Sequence, residues 1–403
     1  MANTNLTIDM ITREALRVAH EKLQYLNTID RQYDDSFCKT GAKIGSTLRI
    51  RQPVQYTRRT GSRVMDVQDS ETVATTLTVS TQDGVDMRFN SQELAQDIDD
   101  FSKNHIEPAM SVLVSGIESD VLQAQQKLVY NSVGTTTVPM TDMVEAGLAR
   151  ARLNQMLAPK DDRHIQISSV IAGGMVNGLS GLFHDGAQIK KQYREGDLGR
   201  IGGFDWHENE RLWNRTMAAD VTGDLEDAGT HNVTDGGSAM EMDTDIATTA
   251  VGEVFTVAGV FACHPETKAS LGYLQQFVIL TGTAGVLTVS PSTYWTGPKQ
   301  NICTVSGAQV VSSTFDDALT AFVGAASSTI KQNIAYHRDF ATFVTADLPL
   351  MGSSEKCVRR VQDGLSLRCW TDSDIRNDEM LTRIDILYGH QVLRPEWACN
   401  ITD

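Results

Sequence analysis

Gly252-Glu-Val-Phe-Thr-Val-Ala-Gly-Val260 is the stretch on which the reading of the fold turns. Its β-branched and aromatic residues, set between glycines, read as a strand. It lies in a run from about residue 218 to 330 dominated by threonine, serine, glycine, alanine and valine. Twelve acidic residues fall in that run, from Asp220 to Asp317, and only Lys268 and Lys299 oppose them. The run therefore holds most of the chain's net charge of −16. Gln275-Gln-Phe-Val-Ile-Leu280 and Val286-Leu-Thr-Val289 read as further strands, separated by glycine or proline turns. The expectation is a small antiparallel β domain over 218–330, inserted into a larger host.

The host is mixed. Residues 8–29 carry Ile8, Ile11, Ala15, Val18 and Leu26 at helical spacing, with Thr7 as N-cap. Residues 46–90 read as two long strands of a projecting hairpin, Thr47 to Tyr56 and Thr75 to Thr81. A helix is expected over 104–131, where Ile106, Met110, Leu113, Ile117, Val121, Ala124 and Leu128 step by three and four. At 1.5 Å per residue it would run roughly 40 Å. A compact α/β unit follows from 142 to 205. It has a capping-box-like start at Asp142 and Glu145, a strand over 164–172, a short helix over 175–183 and a turn at Gly199, Gly202 and Gly203. After the insertion the host resumes near 334. It ends in two strands, 381–388 and 391–401, with Gly389 between them.

The chain has 403 residues, 21% of them charged, which predicts more than one globular core. An acidic balance argues against a nucleic-acid grip, though not against enclosing DNA. No apolar run is long enough to span a bilayer, and the first residues do not have the form of a signal peptide. Cys38, Cys263, Cys303, Cys357, Cys369 and Cys399 form no Cys-x-x-Cys pair and read as reduced thiols.

Motifs for chemistry are missing. Neither phosphate-binding glycine loop occurs, and Gly178-Leu-Ser-Gly181 falls one residue short of a nucleophile elbow and reads as a turn. His207-Glu208 lacks a second histidine, and Asp243-Thr-Asp245 lacks the remaining oxygens of a calcium loop. In a strand Cys263 and His264 face opposite ways. Tyr336-His337-Arg338-Asp339-Phe340 reads as a strand edge with a satisfied histidine, and Arg394-Pro-Glu-Trp397 as an edge with a proline. No catalytic residue, cofactor or metal is expected.

Charge is unevenly placed around the hairpin. Arg49, Arg51, Arg58, Arg59 and Arg63 occur without an acid among them, and Asp83, Asp86, Glu93, Asp97, Asp99 and Asp100 follow. Such blocks can be complementary between copies of one chain. The candidate intersubunit residues are the five arginines with Asp97, Asp99 and Asp100.

Several stretches resemble one family. Gly252 to Val260, His264-Pro-Glu-Thr267 and Leu274-Gln-Gln-Phe-Val278 resemble an inserted-domain signature. Gly202-Gly-Phe-Asp205, Asn333 to Phe340, Thr382 to Gly389 and Leu393-Arg-Pro-Glu396 resemble the host segments around it. In this order they are similar to the tailed-phage major capsid proteins of the HK-ninety-seven-type fold, most narrowly to the P-twenty-two-like coat proteins. The N-terminal third matches by architecture more than by residues.

The resemblance implies an α+β capsid fold divided as follows: N-terminal arm 1–45, extended loop 46–90, peripheral domain with spine helix 91–141, axial domain 142–217, inserted β-barrel 218–330, axial return 331–360, and C-terminal strands of the peripheral domain 361–403. It implies self-assembly as hexamers and pentamers around DNA. Scaffolding and portal proteins, and a decoration protein, would be partners. Synthesis would be in a bacterial cytoplasm and the destination the virion. The hairpin has no lysine, so the lysine–asparagine crosslink of some relatives is not assigned. Two readings stand beside this one: a nanocompartment shell of the same fold, and a two-domain hydrolase with a β accessory domain.

Overall fold

The computed structural model describes residues 8–33, 47–59, 61–62, 65, 67–68, 72–90, 105–134, 140–141, 143–179, 198–219, 222–227, 231–243, 249–282, 285–350, 357–374, 376–377 and 379–402. Its residues cluster into two units, each built from separated stretches of chain. Strands are labelled in chain order.

The first unit takes residues 1–50, 74–121 and 341–391. Its sheet runs β1 (Asp30–Tyr33), β18 (Ala341–Ala346), β21 (Glu379–Val392), β20 (Leu365–Asp374), β19 (Cys357–Gln362), and β4 (Thr81–Asn90) also pairs with β21. Helix α1 (Ile8–Lys22) packs on β19 and β20. Ile11, Ala15, Leu16, Val18 and Ala19 are buried, so the apolar face of α1 finds its cover within its own chain. Helix α2 (Glu107–Gln126) contributes Met110, Leu113 and Ile117 to an apolar cavity shared with Ala19, Phe343 and Leu367. Fully buried Glu118 on α2 accepts the backbone N–H groups of Tyr25 and Gln24 beyond the end of α1. A buried carboxylate is tolerable when it is hydrogen-bonded in this way.

The paired strands β2 (Thr47–Arg51) and β3 (Ala74–Thr78) have five residues each. The expected two long hairpin strands are thus short, and after Val79 and Ser80 the chain enters β4 of the main sheet. Ile50, Leu77 and Val79 pack with Val344 and Leu387, which draws the ribbon's base into a core.

Gly389 is not a turn. It lies inside β21, where an added Cβ would stand 2.2 Å from the Thr78 carbonyl oxygen and 2.9 Å from the Val79 Cα. Glycine in a strand interior here marks a close backbone approach. Gly84 is similar: a Cβ there would strike the carboxylate of Asp385, its partner in the β4–β21 register. That carboxylate is buried and bound by Arg368 across β20–β21.

The second unit takes residues 51–73, 122–340 and 392–403 and has two sheets. One runs β5 (Ser132–Val133), β22 (Ala398–Thr402), β17 (Thr329–His337), β6 (Arg163–Ile167), β8 (Phe204–Glu208), β7 (Arg200–Ile201), and β9 (Asn214–Thr216) pairs with the start of β17. Helices α3 (Val144–Gln155) and α4 (Ser169–Leu179) supply Ala149, Leu153, Ile171 and Met175 to its core. The other runs β10 (Thr222–Asp224), β16 (Leu319–Phe322), β12 (Val254–Cys263), β13 (Ser270–Thr281), β14 (Val286–Thr293), β11 (Gly237–Glu241), with β15 (Ile302–Cys303) on β12. Its two ends meet. Leu225 bridges Met242, Glu226 N–H donates to Glu241 O at 3.1 Å and Asp243 N–H to Asp224 O at 3.1 Å. Closure removes the unpaired edges that an open sheet would expose. Phe255, Phe277, Leu287, Val289 and Phe315 fill the interior.

Other expectations shift. Helix α2 has 20 residues, about 30 Å, rather than extending over 104–131. Its end is set by side chains: Gln126 accepts the Trp213 N–H at 2.9 Å and donates to Gln332 O at 2.9 Å, and Ser132 exchanges two 2.8 Å bonds with the Gln276 amide. Helix α3 starts after Met143, whose side chain makes no capping bond, and Asp142 lies outside the described residues. The strand expected over 164–172 stops at Ile167, because Ser168 turns the chain into α4, which also takes in Gly178. The expected axial return 331–360 divides after Phe340. There the turn Arg338–Phe340 is held by Arg338 N–H to Asp162 O at 3.0 Å, and Ala341 begins β18 of the first unit. The C-terminal stretch 361–403 divides as well, since β22 pairs with β17. Within 91–141, residues from Leu122 onward cluster with the second unit.

Replacing Gly389 by alanine is expected to lower stability by about 2–3 kcal/mol through overpacking. Urea unfolding of the two proteins measures this, and an unchanged midpoint would contradict the close approach.

Candidate functional site

The basic loop is built from residues 51–73 of the second unit. Gln52 N–H donates to Val73 O at 2.8 Å, and the Gln52 amide donates to Leu393 O at 3.0 Å, tying the base of the loop to the C-terminal segment. Further out the amide of Gln68 replaces a strand. It accepts the Thr57 N–H at 2.8 Å and donates to Thr57 O at 2.7 Å. This pair of bonds closes the loop immediately before Arg58 and Arg59, which are exposed, as are Arg49 and Arg51. Arg63, Glu93, Asp97, Asp99 and Asp100 lie outside the described residues.

Two of the acids that follow the arginines are used inside the subunit. Asp86 takes a two-pronged bond from Arg383, at 2.7 and 2.8 Å, and Asp83 accepts the Tyr388 hydroxyl at 2.8 Å. Hydrogen bonding by Arg383 holds the Asp86 carboxyl below its ordinary range. The partners stand some 300 residues away in sequence, so local charge counting could not reveal them.

Tyr336, His337, Cys263 and His264 each have partners within the fold. His337 is buried, accepts the Asp339 N–H at Nδ1 (3.1 Å) and meets the Trp397 ring edge-on at 5.3 Å. Tyr336 is buried and its hydroxyl accepts from Gln166 at 3.0 Å. His264 caps a turn, accepting the N–H groups of Glu266 and Thr267 at 3.2 Å, while Cys263 is buried with its thiol pushed up to about 12 by burial. The five described cysteines are free and buried. Asp245 lies outside the described residues. Among the described residues no group of three or more His, Cys, Asp or Glu side chains could hold a metal.

His207 does have a histidine neighbour, although not the one a metal motif would supply. Parallel pairing of β6 and β8 sets Gln166 opposite His207 and brings His207 Nε2 to 3.3 Å from His164 Nδ1. Burial, then the nearby His207, pushes His164 down to about 4.

The seam between the two sheets of the second unit was not legible as a site. Arg215 on β9 is fully buried and donates to Val323 O at 2.5 Å. Burial pulls its guanidinium down to about 10, opposed by Glu253. Glu253 is fully buried too and accepts the Ala218 and Ala250 N–H groups at 2.6 and 2.7 Å. The Arg152 guanidinium lies 3.3 Å over the Tyr273 ring. Tyr130 packs with Val254 and Val278.

A family model described as "P22 coat protein - gene protein 5" matches residues 38–400. The structure is similar to a chain of Mycobacterium phage Che8, at 10% identity and a TM-score of 0.45, over 94% of this chain and 90% of that one. It is also similar to a chain in the capsid of the cyanophage P-SCSP1u (10%, 0.45, 93% and 86%) and one in the capsid of Ralstonia phage GP4 (8%, 0.45, 93% and 86%). No curated protein matches the sequence.

His164 predicts an acid-labile sheet. Its folded pKa lies below the ordinary 6.5, so the unfolded chain binds more protons as pH falls. The stability held by the neutral ring is complete above 6.5 and is lost as pH drops towards about 4. Unfolding midpoints measured across that window should fall, and His164→Phe should flatten part of the slope. An identical slope in the variant would contradict the assignment.

Proposed function

The chain belongs to the P22 coat protein family, and from that premise we propose that hundreds of copies close an icosahedral shell around the double-stranded DNA of a tailed phage. Its role is that of a capsid protein, its fold α+β and its place the virion. The observation that carries this reading is the family match over residues 38–400. The chain's acidity agrees with it, because a container wall with net charge −16 does not adhere to the polyanion it holds.

The parts of the molecule take roles within that reading. The first unit corresponds to the peripheral domain, with α2 as its spine. The β17-centred sheet of the second unit corresponds to the axial domain, where copies meet around five-fold and six-fold axes. The closed sheet of residues 222–322 corresponds to the inserted β-barrel, facing outward. Synthesis in the host cytoplasm, co-assembly with a scaffolding protein and a portal, and later binding of a decoration protein complete the proposal.

The loop arginines supply its electrostatic part. Exposed Arg49, Arg51, Arg58 and Arg59, with Arg63, meet acidic surface on a neighbouring copy, and the stretch Asp97 to Asp100 is the candidate counterpart. The Gln68–Thr57 closure supports this, because a loop fixed before binding loses less entropy on docking. Charge sets register and encounter, and apolar burial supplies most of the affinity.

Two measurements test the proposal. Expression with neighbouring genes, followed by velocity sedimentation and negative-stain electron microscopy, should yield uniform polyhedral particles. A soluble species of a few subunits, even with a candidate scaffold present, would remove the shell reading. Arg58→Glu with Arg59→Glu should reduce particle yield about tenfold or more, since like charges juxtaposed at an interface cost several kcal/mol. Normal assembly by that double variant would remove the arginine contact alone.

A further inference from the structure

The two lysines of the acidic stretch 218–330 come together. Lys268 and Lys299 both line one open groove of the second unit, together with Arg394. Each cation is placed by a specific contact. Lys268 Nζ donates to Pro298 O at 2.6 Å and Gln300 O at 3.1 Å. Lys299 Nζ lies 5.7 Å from the centre of the Tyr294 ring, and the Arg394 guanidinium stacks 4.1 Å over Trp397. Burial lowers the pKa of Lys268, so its charge is partly stripped of water. The one carboxylic acid in the lining, Glu396, is pushed towards its neutral form by burial. The groove is therefore cationic, with aromatic walls, in the most acidic part of the chain.

The complementary charge lies on the same closed sheet. Asp224, Asp227, Asp316 and Asp317 gather around β10 and the start of β16, with His231 Nε2 3.1 Å from Asp316, and Asp227 and Asp317 are exposed. Hydrogen bonding to Asp227, then the charges of Asp227, Asp224 and Asp316, raises the Asp317 carboxyl above its ordinary value, which is the signature of crowded like charges. A cationic surface brought to this patch would relieve the crowding.

We propose that the Lys268–Lys299–Arg394 groove of one copy receives the Asp227–Asp317 patch of a second copy. The inference rests on the shell reading and names a contact within it. Groove and patch are different surfaces of one chain, so the contact is head-to-tail, the type that closes rings when the rotation between copies allows it. Opposite charge orients the approach.

The test uses the full chain under conditions where the wild type assembles. Lys299→Glu and Asp227→Lys are made singly and together, and particle yield is read by velocity sedimentation and electron microscopy. Each single variant should lower the yield about tenfold or more, and the double variant should recover most of it, because the pair is restored with its signs exchanged. Lys299→Gln and Asp227→Asn remove charge without reversing it and should give smaller losses in the same order. Thermal melts identify any variant that fails to fold. Single variants that assemble like the wild type, or a double variant no better than the singles, overturn the contact. Absence of particles from the wild type itself would instead remove the shell reading beneath it.

Discussion

The antiparallel pairing of β9 with the first residues of β17 is the constraint on which much of the second unit depends. The chain leaves its host sheet through Asn214–Thr216 and returns through Thr329–Lys331, in register with one another. More than a hundred residues lie between, and the entropy of closing so long a loop is limited because its two ends are adjacent strands. Beyond residue 331 the same strand β17 is flanked by β6 and β22. One strand therefore roots the inserted sheet and forms the centre of its host.

Buried polar groups then fix how the two sheets of the second unit lie against each other. Arg215, Glu253 and Gln276 are buried or nearly so, and each bonds to backbone groups. An apolar seam could slide. A seam that satisfies particular N–H and carbonyl groups is satisfied in one arrangement only, and leaving any of them unpaired costs about 1–3 kcal/mol. The same logic holds in the first unit, where Glu118 anchors the chain after α1 and Arg368 neutralises Asp385 beneath Gly84.

For a coat protein this construction has a functional consequence. The closed sheet of the second unit keeps its strand pairing inside the subunit, which leaves contacts between copies there to side chains. The loop 51–73 and the cationic groove are the places proposed for such contacts. Both present positive charge from a chain whose balance is strongly negative, which favours association between unlike surfaces of identical subunits.

The sequence by itself determined the kinds of element and their order. The strand-like runs at 254–258 and 275–280 and the three-four stepping of Met110, Leu113, Ile117 and Val121 are local patterns, legible from neighbouring residues alone. The compositional shift near 218 was equally legible, since a strand-rich acidic segment differs from its host residue by residue. Boundaries and partners were decided by tertiary structure. Gly389 reads as a break between two strands until Thr78 is brought against it, and Gln125 and Gln126 are buried where the helical stripe predicted Ala124 and Leu128. Asp86 reads as part of an acidic block until Arg383 reaches it across β4–β21. The assignment of β22 to the second unit and β18 to the first follows from hydrogen-bond pairing between distant strands. Of the residues proposed for contact between copies, the arginine block was visible as charge. The groove was not, because Lys268, Lys299 and Arg394 become one surface only when strands and a C-terminal turn far apart in sequence are packed side by side.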